Sequence, residues 1–228
     1  MTAAIMNTHL RDNFNALAPT VAGEIAVGNG TDMTLQAVGA SNAVPMADAA
    51  CTIGWAWKQT AAVLIQDIET TSASAAITFS SIASGFRHLR VVGMARFSGG
   101  ADVIAAQLNG DATTVYDSNR VNFSNATNFT ETLAASGFRI VTTNGGGGAS
   151  NSWGSFVMEF NDYAEATAHK QTLQYYGLAT GSATTNIQFG LGTGRWRSSA
   201  SITSIKLYPY SSTGASFVSG VKVSLYGM

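Results

Sequence analysis

The sequence predicts a mainly-β protein: one large antiparallel β-sandwich or jelly roll, preceded by a short N-terminal helix and an extended tether. Three observations carry this. Beyond residue 61, apolar and polar residues alternate with a period of two, the mark of half-buried strands. Clusters of Gly, Ser and Asn separate these runs at irregular intervals, with no helical crossover pattern between them, which favours antiparallel pairing. A length of 228 residues suits a single all-β domain with an appendage.

The helix is predicted over residues 3–17, AAIMNTHLRDNFNAL. Met6, Leu10, Phe14 and Leu17 follow at steps of four, four and three and share one face. Thr2 is placed to cap the start, and Pro19 ends the run. A helix of this length spans only about 22 Å and is marginal alone, so its stripe must dock. Two partners fit: the chain's own β-domain, or a small bundle or socket in a larger assembly. Residues 1–18 are accordingly an attachment or oligomerisation segment, with Met6, Leu10, Phe14 and Leu17 as the candidate assembly face.

Residues 19–60 are rich in Gly, Ala, Asn and Thr, with short apolar pieces around 24–27, 33–38 and 43–46 separated by turn signals such as Gly28-Asn29-Gly30. They hold too many apolar residues for a free linker, so short strands in an extended tether are expected. Trp55 and Trp57 share a strand face, where they can anchor the tether to the following domain or stack on a sugar.

Residues 61–228 form the sandwich. Ile77 and Phe79, Leu89 and Val91, Phe156, Met158 and Phe160, and Ile187, Phe189 and Leu191 each alternate with other residues. Further strands are expected near 63–68, 103–108, 138–142, 171–178, 202–207 and 221–226, giving roughly eight to ten. The glycine run 145–148 follows one strand and leads into another. It therefore offers no helix N-terminus for a phosphate.

Composition points to association. The chain is 46% hydrophobic and only 11% charged, against about 25% charged residues in typical soluble domains. A monomer of this size exposes about 9,800 Å², over which 12 basic and 13 acidic side chains are sparse protection against self-association. Either the surface is polar but uncharged, or other subunits cover much of it. A net charge of −1 with no basic stripe disfavours nucleic acid. No apolar run is long enough to insert in a membrane, and no secretion signal opens the chain, so synthesis in the cytoplasm is expected. Cys51 is the only cysteine, and His9, His88 and His169 lie far apart. No disulfide, metal or cofactor is therefore expected.

Three segments carry a resemblance: Thr2-Ala3-Ala4-Ile5-Met6-Asn7-Thr8-His9-Leu10-Arg11-Asp12-Asn13, Phe86-Arg87-His88-Leu89-Arg90-Val91-Val92-Gly93, and Phe217-Val218-Ser219-Gly220-Val221-Lys222-Val223-Ser224-Leu225-Tyr226-Gly227. Together they resemble tailed-bacteriophage virion proteins, whose Gly-rich tether is echoed by Val38-Gly39-Ala40-Ser41-Asn42 and Ala47-Asp48. The resemblance implies a structural part of the particle, a tail-tip or fibre protein or a head appendage, often trimeric. It brings no catalytic residues.

No Gly-x-Ser-x-Gly elbow is present, and Asp102, Asp111, Asp117, Glu159, Asp162 and Glu165 are more simply turn and surface residues than a carboxylate pair. His88 reads as a strand side chain and Cys51 as a packed thiol. Trp153, Tyr163, Arg195 and Trp196 lie at or near loop ends and form a candidate glycan-binding set, although aromatics there more often cap a core. The Asn-x-Ser/Thr sites at Asn29, Asn122, Asn125 and Asn128 read as a polar loop. The expectation is thus a non-enzymatic virion component. It would form a homo-oligomer, a trimer by what the resemblance implies, bind other virion proteins and display a sandwich open to host-surface glycan. A free-standing carbohydrate-binding module and a polysaccharide depolymerase are the alternatives.

Overall fold

A computed structural model describes residues 25–28, 33–37, 39, 43–47, 55–59, 62–99, 102–123, 127–143, 153–179, 187–210 and 214–228. The expected helix with Met6, Leu10, Phe14 and Leu17, Cys51 and the glycine run 145–148 lie outside these residues. Every regular element among the described residues is a strand. The chain divides into two units, Met1–Ala62 and Val63–Met228.

In the first unit, β1 (Ile25–Gly28) pairs antiparallel with β2 (Met33–Gln36), and β3 (Ala43–Ala47) with β4 (Trp55–Gln59). The short apolar pieces of the tether are therefore strands of two hairpins. Trp57 holds this unit together from within: its Nε1 donates to the Ala37 carbonyl at 2.8 Å. Its indole also packs where a Cβ on Gly39 would stand, 2.5 Å from the ring.

The second unit is an antiparallel sandwich. Its strands are β5 (Val63–Glu69), β6 (Ile77–Phe79), β7 (His88–Ala95), β8 (Asp102–Leu108), β9 (Tyr116–Phe123), β10 (Thr127–Ala135), β11 (Phe138–Thr143), β12 (Gly154–Asn161), β13 (Lys170–Ala179), β14 (Ile187–Trp196), β15 (Ile205–Pro209) and β16 (Lys222–Gly227). Eight of them form one sheet in the order β10-β9-β14-β13-β12-β7-β16-β5. The other four form a second sheet in the order β11-β8-β15-β6. β9 and β10 make a hairpin and β12, β13 and β14 a meander, while the remaining connections cross between sheets.

The sheets close on one apolar core. Ile104, Leu108, Phe138, Ile140, Ile205 and Leu207 of the smaller sheet meet Leu89, Val91, Phe156, Met158, Phe160 and Leu225 of the larger. In β12 the alternation predicted from Phe156, Met158 and Phe160 is seen directly, since those three are buried and the residues between them are not. Phe138 is central: its ring meets Tyr116 edge-on at 5.0 Å and Phe160 at 6.2 Å.

Two features depart from the sequence reading. The stretch around Asn122 and Asn128 is not a loop but the paired strands β9 and β10. After Tyr116, the inward positions of β9 are Ser118, Arg120 and Asn122, so polar residues occupy the places where apolar ones would have signalled a strand. In β14 the expected alternation is present, with its apolar residues on the outer side. Ile187, Phe189 and Leu191 point away from the core, and the inward positions are Gly190, Gly192 and Gly194. The reason is space: a Cβ on Gly190 would stand 2.2 Å from the Tyr176 ring, and one on Gly194 would stand 2.4 Å from the Phe138 ring. Rings from a neighbouring strand and from the opposite sheet fill the core above the glycines.

Candidate functional site

The outer face of the eight-stranded sheet is the feature that the core does not explain. Cross-strand register aligns Phe129, Val121, Leu191, Tyr175, Val157 and Val92 in one continuous row across six strands. The adjacent row carries Phe123, Phe189, Gly177, Ser155 and Met94. Phe123 and Phe189 stack at 5.9 Å with 19° between their planes, although their outer surfaces have no cover among the described residues. Phe129 is 78% exposed, Leu133 63% and Ile187 82%. A shallow groove of about 280 Å³ runs between Phe129, Val121, Leu173 and Leu191.

Polar residues border the patch and are largely satisfied by one another. Arg90 donates to Glu159 through Nε at 2.8 Å and Nη2 at 2.5 Å, and the Tyr175 hydroxyl donates to the same carboxylate at 3.2 Å. The hydrogen bond to Glu159 is the main reason that the Arg90 pKa is raised. Arg195 reaches Asp117 at 2.7 Å and Arg197 reaches it at 3.5 Å. Burial pushes the Asp117 carboxyl up, yet the Arg195 hydrogen bond, the Ala134 N–H and both guanidiniums outweigh it and hold the pKa below the usual carboxylate range. Lys222 pairs with Glu69 at 3.2 Å. Most of the rim's charge is thus paired, whereas Glu131 of β10, exposed on the same face, has no ion pair among the described residues.

The smaller sheet's outer face is the internal comparison. There Arg139 lies over the Tyr210 ring at 4.1 Å, Lys206 lies near the Tyr208 ring at 5.5 Å, and Gln107 Nε2 donates to the Ser136 carbonyl at 2.9 Å. Long amphipathic side chains cover that face themselves. On the larger sheet, three phenylalanines alone leave roughly 300 Å² uncovered at about 200 Å² each. With the leucines, Ile187, Val92 and Met94 the patch is on the order of 900 Å², above the roughly 300–600 Å² of a typical monomer's largest patch and near the roughly 800 Å² that each partner buries in a standard interface.

The residues proposed for glycan contact do not come together. Tyr163 is fully buried, with its hydroxyl donating to the Ala83 carbonyl. Trp196 is buried, stacks with Tyr116 at 6.3 Å, and donates through Nε1 to Asp111 at 2.9 Å. Trp153 is half-buried against the core. Only Arg195 stands on the outer face, forked onto Asp117. Neither the Tyr163 nor the Trp196 ring presents a stacking surface to solvent, because each fills core volume. The outward aromatics are instead Phe123, Phe129 and Phe189. Their signal in the sequence was the run Phe189-Gly190-Leu191-Gly192-Thr193-Gly194, where alternate glycines mark the packed side of a strand. Among the described residues no group of His, Cys, Asp and Glu is arranged to hold a metal ion, and no helix is long and apolar enough to cross a membrane.

Comparison of the chain with protein-family models, with curated proteins and with solved structures finds no match in any of the three.

Proposed function

We propose that this chain is a non-enzymatic structural subunit of a tailed-bacteriophage virion, which assembles with copies of itself through the outer face of its eight-stranded sheet. The single observation that carries the self-assembly reading is the continuous apolar row from Phe129 to Val92, bordered by charges most of which are paired within the sheet. A second copy suits it because an apolar face whose bordering charges are mostly paired gains from burial while stranding few of them. The low proportion of charged residues, 11%, fits a chain whose surface is shared with neighbours.

The virion reading is supported by the opening Thr2–Asn13 segment, which resembles those of tail-tip, fibre and head-appendage proteins. It gives the assembly a setting, with a trimer as the expected copy number, attachment to other virion proteins through residues 1–18, and loops left free to meet a host-surface glycan. The test is a gold-labelled antibody against the full chain, applied to particles purified from cells that produce it and viewed in negative stain. Label at one fixed place on each particle is the expected result. Particles that contain none of the chain would overturn the setting.

A further inference from the structure

The inner face of the same sheet is asymmetric. Towards β12, β7 and β16 it is apolar, with Met158, Val91 and Leu225 in one row. Towards β9 and β13 the same row continues as Gln174, Gly192 and Arg120, and the next carries Tyr176, Gly190 and Asn122. Because β14 supplies only hydrogen atoms at 190 and 192, side chains from the strands on either side share the space. A Cβ on Gly192 would stand 3.3 Å from Gln174 Oε1 and 3.4 Å from Arg120 Cβ. The Tyr176 phenol lies over Gly190, with its hydroxyl 2.5 Å from where a Cβ would be.

These converging groups lack partners. Gln174 is 0% exposed and neither amide atom is hydrogen-bonded. The Tyr176 hydroxyl, 3% exposed, Arg120 Nε and Nη1, and Asn122 Oδ1 are equally unpaired among the described residues. Each such group costs about 1–3 kcal/mol when left so, and native proteins rarely gather several in one place. Nor is there a carboxylate to answer Arg120. The acids on β9, β10, β13 and β14 are Asp117 and Glu131, and both line a groove on the opposite face. Burial is the main cause of a lowered Arg120 pKa; Tyr176 works against the shift, and the like charge of Arg139 adds to it. Arg120 and Asn122 remain half-buried, so the space is not sealed.

We propose that Arg120, Gln174, Tyr176 and Asn122 form a cradle, around Gly190 and Gly192, for a small oxyanion that carries at least one O–H, of the hydrogen phosphate type. Arg120, the Gln174 amide and the Tyr176 hydroxyl donate to its oxygens, and charge-assisted bonds of this kind are the strong ones. Gln174 Oε1 accepts from its O–H, and Asn122 Oδ1 from a second O–H where the ion carries one; fully ionised sulfate offers neither. The cradle lies on the face opposite the assembly surface, so neither idea depends on the other.

The test follows thermal unfolding of the full chain at neutral pH in sodium phosphate, sodium sulfate and sodium chloride at matched ionic strength, with glycerol 3-phosphate as an esterified source. Wild type should gain about 3–5 °C for each tenfold increase in phosphate beyond its dissociation constant, and less in sulfate. A response to glycerol 3-phosphate equal to that in phosphate would assign the ligand to a phosphoryl group carried on a larger molecule. Arg120→Gln should abolish the gain. Gln174→Leu, which leaves the charge in place, should narrow the preference for phosphate over sulfate, and it serves if Arg120→Gln fails to fold. Equal responses of wild type and both variants, or no response in wild type, would overturn the proposal.

Discussion

Gly194 of β14 lies directly beneath Phe138 of the opposite sheet, so close that a methyl group on Gly194 would stand 2.4 Å from the ring. This contact sets the phase of β14: with the ring occupying the inner side, Phe189 and Leu191 are turned to the outer face. The interior packing and the surface proposed for assembly are therefore consequences of one another.

Gly194→Ala should accordingly destabilise the sandwich. Inserting a methyl into a packed core costs about 1–3 kcal/mol, and for a domain of this size each kcal/mol lowers the unfolding midpoint by about 2–4 °C. Thermal denaturation followed by circular dichroism should show a loss of several degrees. An unchanged midpoint would mean that the Phe138 ring yields freely.

Trp196→Ala should behave as a core deletion. The indole stacks on Tyr116 and donates to Asp111, so a loss of about 3–5 kcal/mol is expected, with near-ultraviolet dichroism changed. Arg195→Ala, one residue away but on the outer face, should change stability by less than about 1 kcal/mol.

How much of this was legible in the sequence follows from what each strand packs against. β12 was plain because its inward residues are Phe156, Met158 and Phe160, large and apolar. β9 and β10 were missed because β9 turns Ser118, Arg120 and Asn122 inward, and because three glycosylation-like triplets gave the stretch a loop's composition. The outer face was not legible for a related reason. Periodicity fixes that Phe189 and Leu191 share a face but not which face, and only the contact between Gly194 and Phe138 decides it. Trp196 and Tyr163 looked like surface aromatics from their place near strand ends, whereas their burial depends on partners distant in sequence: Asp111 for one and Ala83 for the other.

Acid should weaken the fold in part through Asp111. A hydrogen bond from the Thr113 hydroxyl at 2.5 Å is the main cause of its lowered pKa; burial opposes the shift, and Trp196 Nε1 adds to it. A carboxyl whose folded pKa lies below the ordinary 3.8 contributes stability above that value and loses it as pH falls through the folded one. Asp111→Asn should therefore flatten the fall in unfolding midpoint as pH drops below 3.8. An identical slope in wild type and variant would remove Asp111 from the account.

The Arg90–Glu159 pair should matter differently in free and assembled protein. On an open face such a pair is worth about 0–1 kcal/mol, so Glu159→Gln should barely alter the unfolding of a dissociated subunit. Once a second copy covers the face, Arg90 would be left buried and unpaired, a change that costs about 3–5 kcal/mol. The variant should dissociate on dilution at a concentration where wild type stays associated.

The most direct measurement is the mass in solution of the full chain and of Leu191→Asp, taken by light scattering at high micromolar concentration. Leu191 is exposed and central in the apolar row, so the substitution leaves the core untouched and places a charge where the second copy would sit. The account predicts a wild-type homo-oligomer and a variant of monomer mass with an unchanged dichroism spectrum. A monomeric wild type, or a variant that associates as tightly as wild type, would contradict it.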